Sequence, residues 1–149
     1  SSGYHYQLVD LEKTGVDWQD PDALAAVLRG LAGAGFSGFN VTIPCKFGTR
    51  GRLLRSDPVA VVPHLHALEP SATGVGAVNV VEVRRSSSPT ASAVRLIGHN
   101  TDVLGVQHAF EEAGIFDRRS SAACGVGTVA VLGAGGIARA VLAALKEQG

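Results

Sequence analysis

A chain of 149 residues suits one compact domain or parts of two, and at that size roughly 70% of the unfolded surface can be buried. Its 13 lysines and arginines balance 13 aspartates and glutamates without any block of like charge, so neither nucleic acid nor an anionic membrane is offered an attractive field. The 2 cysteines, Cys45 and Cys124, form no close pair and match no metal-ligand spacing, and no cleavable signal segment is read at the start, which points to a reducing, cytoplasmic setting.

Tyr4 to Asp10 alternates in the manner of a strand. Asp20 and Pro21 then supply an N-cap and a proline at the first helical position. Leu24, Val27, Leu28 and Leu31 follow at helical spacing and form one apolar face, which glycines at 33, 35 and 38 bring to an end. Phe39 to Ile43 is a second strand, so the opening predicts strand, helix, strand, the pattern of a parallel α/β unit. Alternation turns Phe39, Val41 and Ile43 to the core and Asn40 and Thr42 to the other side. Pro44 stops the strand and leaves Lys46 at its carboxyl end, where open α/β sheets bind ligands. Asn40-Val41-Thr42 has the wording of a glycosylation acceptor, but that reading needs a secreted chain and an exposed loop.

Arg52 to Leu68 reads as short helical pieces broken by Pro58 and Pro63. Val75 to Arg84 and Ala93 to Gly98 are β-rich and flank a Ser/Thr/Ala/Pro stretch, which predicts a hairpin with a loose tip. Thr101 and Asp102 open a helix whose apolar positions are Val103, Val106, Phe110 and Ala113. Asp117 to Gly127 is the expected inter-domain linker. Val126 to Leu145 is long and carries one charge, Arg139, as a membrane span would. Its glycines divide it instead into a β-prone run, Thr128 to Leu132, a turn at Gly133 to Gly136, and a helix.

That turn, Gly133-Ala134-Gly135-Gly136-Ile137-Ala138, fits GxGxx[G/A] between a strand and a helix. Such glycines let a pyrophosphate approach backbone N–H groups at a helix N-terminus, and they also allow close strand and helix packing. The residue that would choose between NAD and NADP lies about 20 residues further on, beyond Gly149. A second cluster comprises Asn40, Thr42 and Lys46, then Asn79 in Gly76-Ala-Val-Asn79, then Asn100-Thr101-Asp102. Its amide, hydroxyl, ammonium and carboxylate groups match a small polyhydroxylated acid. Asn and Thr also serve as turn residues and caps, and the helix macrodipole favours Asp102 at an N-terminus.

Three other features read more plainly as structure. His99 could be proposed as an acid/base, but it reads better as a strand-end side chain. His64 and His66 stand two apart with no third metal ligand. Cys45 has Lys46 beside it yet no paired histidine, and is best taken as a bystander thiol.

In combination, GFNVTIPCK, GAVNV, GHNTDVLG and VLGAGGIARA resemble the shikimate dehydrogenase family in order and spacing, from about Tyr4 to the end; GHNTDV is closer to the quinate/shikimate branch. The resemblance implies an NAD(P)-dependent oxidoreductase that reduces 3-dehydroshikimate to shikimate, or oxidises quinate or shikimate, in aromatic amino acid biosynthesis or quinate utilisation. It places the catalytic lysine on Lys46 and its partner aspartate on Asp102, with the formal base left open between them. Substrate-binding positions fall on Asn40, Thr42, Asn79 and Thr101, and the cofactor turn on Gly133, Ala134, Gly135, Gly136, Ile137 and Ala138. No metal is implied.

The expected fold is α/β. Residues 1–104 form a three-layer α/β/α substrate domain with a mostly parallel sheet. Residues 105–149 form a linking helix, a linker and the first βα unit of a Rossmann-type NAD(P)-binding domain. Relative to the family, a first strand and a serine-containing loop are absent upstream, most of the nucleotide domain is absent downstream, and Val80 stands where threonine is common. The chain therefore reads as an enzyme cut at both ends, inactive alone, with apolar edges that favour association, for instance as a homodimer. Two other readings are a non-catalytic remnant that binds only ligand or a partner chain, and a different two-domain Rossmann enzyme.

Overall fold

The computed structural model describes residues 3, 5–17, 19–42, 45, 61–86, 94–115 and 128–148. In chain order these hold helix α1 (Pro21–Gly33), strand β1 (Gly38–Asn40), a short 3-10 turn (Val62–His64), strand β2 (Ala67–Leu68), helix α2 (Pro70–Val75), strands β3 (Val80–Arg85) and β4 (Val94–His99), and helices α3 (Asp102–Glu112) and α4 (Gly136–Gln148). The strands make one sheet in the order β1-β3-β4-β2. Among the described residues, no helix is long and apolar enough to cross a membrane.

Helix α1 starts as its sequence predicts: the Asp20 carboxylate accepts from the Asp22 N–H at 2.9 Å, and Pro21 takes the first turn. Leu24 and Leu28 are buried on its inner face, each contributing about 1.5–3 kcal/mol. They join Val62, Leu65, Val78, Val81, Val83 and Leu96 in the main core, with Phe39 and Val41 packed against it. Asn40 and Thr42 are exposed, so the expected alternation along 39–42 holds; Ile43 lies outside the described residues. The far end of α1 is held by Arg85, whose Nη2 donates to the carbonyls of Ala32 at 2.7 Å and Phe36 at 3.0 Å. A cation there complements the helix dipole.

The α/β class and the predicted hairpin stand: β3 and β4 pair antiparallel from Val80 with His99 to Arg85 with Val94. The mostly parallel sheet does not hold over the described strands. β1 also runs antiparallel to β3, and parallel pairing is confined to β2 against β4, Ala67 with Ile97 and Leu68 with Gly98. A short connection forces antiparallel pairing on β3 and β4, and the free edge of β3 then receives β1.

Two predicted strands are likewise corrected. Over 5–10 and 128–132 the chain joins no ladder, and Tyr6 and Leu8 are 84% and 86% exposed, Leu132 98%. Alternation and β-prone side chains supply a tendency, but a strand exists only against a partner backbone, which sequence pattern does not specify.

A second apolar cluster joins Val75, Ala77 and Val103 to Ala140 and Ala144 of α4, with Val106, Phe110 and Ala143 alongside. The small alanines let α4 lie close to α3. Gln107 of α3 donates to Glu147 of α4 at the rim.

Candidate active site at one end of the sheet

Because β3 runs antiparallel to both neighbours, its start lies beside the carboxyl ends of β1 and β4. Three segments separated in sequence meet there. Gly76 closes α2 in the left-handed region, with φ 71°, and its N–H reaches the Ala72 carbonyl at 2.9 Å. Ala77 and Val78 follow fully buried, which sets Asn79 at the sheet end. Its backbone continues the ladder both ways: Asn79 N–H donates to His99 O at 3.1 Å, and Val41 N–H donates to Asn79 O at 2.8 Å. Asn40 and Thr42 flank Val41 with exposed side chains.

The Asn79 side chain then joins the start of α3. Its Nδ2 donates to Thr101 Oγ1 at 3.1 Å and to Asp102 Oδ1 at 2.9 Å, while its Oδ1 accepts from the Thr101 N–H at 3.0 Å. Asp102 is the first residue of α3 and half-buried, where the positive end of the helix favours its carboxylate. The structure thus brings together Asn79, Thr101 and Asp102, and sets Asn40 at the end of the adjoining β1 with Thr42 two residues beyond it. Lys46 lies outside the described residues.

Asn100, placed in the second cluster by sequence reading but given no role by the family resemblance, is 1% exposed at the centre of this junction. It makes three hydrogen bonds among the described residues. Its N–H donates to Ser71 Oγ at 3.2 Å, its Nδ2 to the Ala77 carbonyl at 3.0 Å, and its Oδ1 accepts from the Asp102 N–H at 2.9 Å. The last is an Asx turn, which an asparagine two residues before a helix start could have signalled. The bond to Ala77 spans 23 positions and has no local signature.

Of the residues read as structure, His99 and His66 have definite partners. His99 Nε2 lies 3.0 Å from Glu82 Oε2, and Arg84 Nε donates to Glu82 Oε1 at 2.9 Å. Arg84, then His99, hold the Glu82 carboxyl below its ordinary range. The His66 Nδ1 accepts from the Leu96 N–H at 2.9 Å, and burial pushes His64 below its usual value, with Arg29 adding to it. Cys45 is buried, and burial raises its thiol.

The glycine turn stands ahead of α4. Gly133 has φ 108°, a conformation that a side chain resists, and a Cβ at Gly133 or Gly135 would meet nothing within 4 Å. Gly133, Gly135, Gly136, Ile137, Ala138 and Val141 line a shallow groove of about 350 Å³ before the first turn of α4. Open backbone in front of a helix N-terminus is chemically suited to an anion such as a pyrophosphate.

Comparison with known proteins decides the family. Residues 2–81 match the model of the shikimate dehydrogenase substrate binding domain. The chain belongs to the shikimate dehydrogenase family. Within that family it is 36% identical over 146 residues to shikimate dehydrogenase (NADP(+)) of Streptomyces avermitilis, covering 98% of this chain and 40% of that protein. Shikimate 5-dehydrogenase of Thermus thermophilus, solved with NADP(H) and shikimate, superimposes with TM-score 0.58 at 34% identity, over 86% of this chain and 38% of that one. Quinate dehydrogenase of Corynebacterium glutamicum, solved with NAD, gives TM-score 0.58 at 31% identity, over 85% and 36%. The chain therefore spans about two fifths of the length of the first of these relatives.

Proposed function

We propose that the chain is the substrate-binding part, with the start of the cofactor-binding part, of a dehydrogenase that interconverts 3-dehydroshikimate and shikimate or oxidises quinate with NADP or NAD. The observation that carries this reading is the Asn79 amide joined to Thr101 and Asp102 at the sheet end, in a chain of the shikimate dehydrogenase family. Residues 1–104 are assigned to the substrate domain and 105–149 to the linking helix, linker, and the glycine turn and helix that begin the nucleotide domain.

When bound, the nicotinamide takes or gives the hydride at the alcohol carbon, and the proton on oxygen is left to side chains. Lys46 and Asp102 are proposed to hold that oxygen between an ammonium and a carboxylate and to pass its proton as a coupled pair. A carboxylate fixed through its own backbone N–H and through Asn79 loses little freedom on meeting substrate, which supports the assignment of Asp102. Asn40, Thr42, Asn79 and Thr101 are proposed to bind the ring hydroxyls. Gly133, Ala134, Gly135, Gly136, Ile137 and Ala138 would hold the pyrophosphate, a role that the open groove and the positive φ of Gly133 support.

The test is an assay of the protein translated from the complete reading frame, beside residues 1–149 alone, with shikimate and quinate and with NADP and NAD. Turnover by the complete protein and its loss in Lys46→Ala, with substrate binding retained, are the expected results. Absence of turnover in the complete protein, or unchanged turnover in Lys46→Ala, would remove the proposal.

A further inference from the structure

We infer that Asn100 is a positioning residue for Asp102, an inference that rests on the dehydrogenase reading above. Thr101 stands at the N-cap of α3 but makes no side-chain capping bond; its φ of −98° and ψ of −5° are helical, and its Oγ1 is engaged by Asn79. The cap is supplied one residue earlier, by Asn100 Oδ1 accepting from the Asp102 N–H. The other end of the same amide donates to the Ala77 carbonyl, two residues before Asn79.

The amide orientation is dictated by its partners, since an N–H can only donate and a carbonyl can only accept. Both ends are thus used, at a residue 1% exposed. Asn79 and Asn100 form a double clasp between the same two segments, 77–79 and 100–102, and among the described residues Asp102 is the one that both amides reach. Asn79 holds its carboxylate and Asn100 its backbone.

Three close substitutes fail this demand. Aspartate would turn a second acceptor toward the Ala77 carbonyl. Alanine leaves that buried carbonyl without its donor and the first N–H of α3 without its cap. Serine keeps an oxygen able to accept from the residue two positions on, but cannot reach Ala77 in the same way.

The experiment uses the complete protein and measures kcat and KM for Asn100→Ala, Asn100→Ser, Asp102→Asn and the Asn100→Ala/Asp102→Asn pair. Misplacing a reacting group by an ångström costs about 10²-fold. Asn100→Ala is expected to lower kcat by about that factor with KM little changed, and Asn100→Ser by about tenfold. The double variant should be no slower than Asp102→Asn alone, because a misplaced group that no longer acts has nothing further to lose. Should Asn100→Ala fail to fold, Asn100→Ser paired with Asp102→Asn carries the same test. Wild-type kcat in Asn100→Ser, or losses that multiply in the double variant, would overturn the inference while leaving the dehydrogenase reading intact. Wild-type kcat in Asp102→Asn would instead overturn the reading on which it rests.

Discussion

The side-chain amide of Asn79 donates to the carboxylate of Asp102 at 2.9 Å, joining the residue before β3 to the first residue of α3. This bond makes a specific demand on chemistry at position 79. Asn79→Asp places a second carboxylate within hydrogen-bond distance of Asp102, and two such groups cannot both ionise freely. In the complete protein, the acid limb of the profile of kcat/KM against pH is expected to move to higher pH in Asn79→Asp but not in Asn79→Ala. An identical acid limb in both variants would take Asp102 out of the proton path.

Gly98 tests the packing behind the site. A Cβ there would stand 2.7 Å from Leu65 Cδ1, 2.8 Å from Leu68 Cδ2 and 2.9 Å from Val78 Cγ2, closer than such atoms approach. The leucine tips can move, but Val78 is fully buried and its branched side chain has little freedom. Gly98→Ala is expected to destabilise by about 1–3 kcal/mol, read from urea unfolding. Undiminished stability would mean that β2 and β4 adjust without cost.

Much of this was legible in the sequence, and the parts that were not share one cause. Asp20 and Pro21 mark the start of α1, the run from Leu24 to Leu31 marks its inner face, and the two β-rich runs mark the hairpin; each signal lies within a few residues of what it forms. The group Asn79, Thr101 and Asp102 was legible only as motif wording, because its bonds span 22 and 23 positions. The segments 5–10 and 128–132 carry strand-like patterns that no described neighbour pairs with, and β1 found β3 rather than a parallel partner. Pairing is a property of two segments, and pattern reports on one at a time.

Arg85 ties the last residue of β3 to the far end of α1. Its guanidinium bonds two carbonyls there, so Arg85→Met removes both bonds and the favourable charge at a helix C-terminus. A loss of about 1 kcal/mol is expected, read from urea unfolding. Arg85→Lys should recover the charge but not the paired bonds, and therefore only part of the loss. Equal stability of Arg85→Met and the unchanged protein would show that water serves these carbonyls as well.

Glu82 gives a pH dependence whose sign is fixed. Arg84 and then His99 lower its carboxyl below the ordinary 4.5, so the folded state binds this proton less readily than the unfolded state. The stabilisation is present above pH 4.5 and is lost as pH falls through the lower folded value. Glu82→Gln should therefore be less stable than the unchanged protein at neutral pH, and the difference should shrink in acid. A difference that grew on acidification would contradict the assignment.

Proton transfer between Lys46, Asp102 and a substrate hydroxyl is tested most directly by one measurement: kcat for shikimate and for quinate in the complete protein, compared with its Lys46→Ala and Asp102→Asn variants. Turnover of at least one of these acids is expected, with a fall of about 10²-fold or more in kcat in both variants and binding of the acid retained. Turnover of neither acid by the unchanged protein, or wild-type kcat in either variant, would contradict the assignment of Lys46 and Asp102 as the proton-transferring pair.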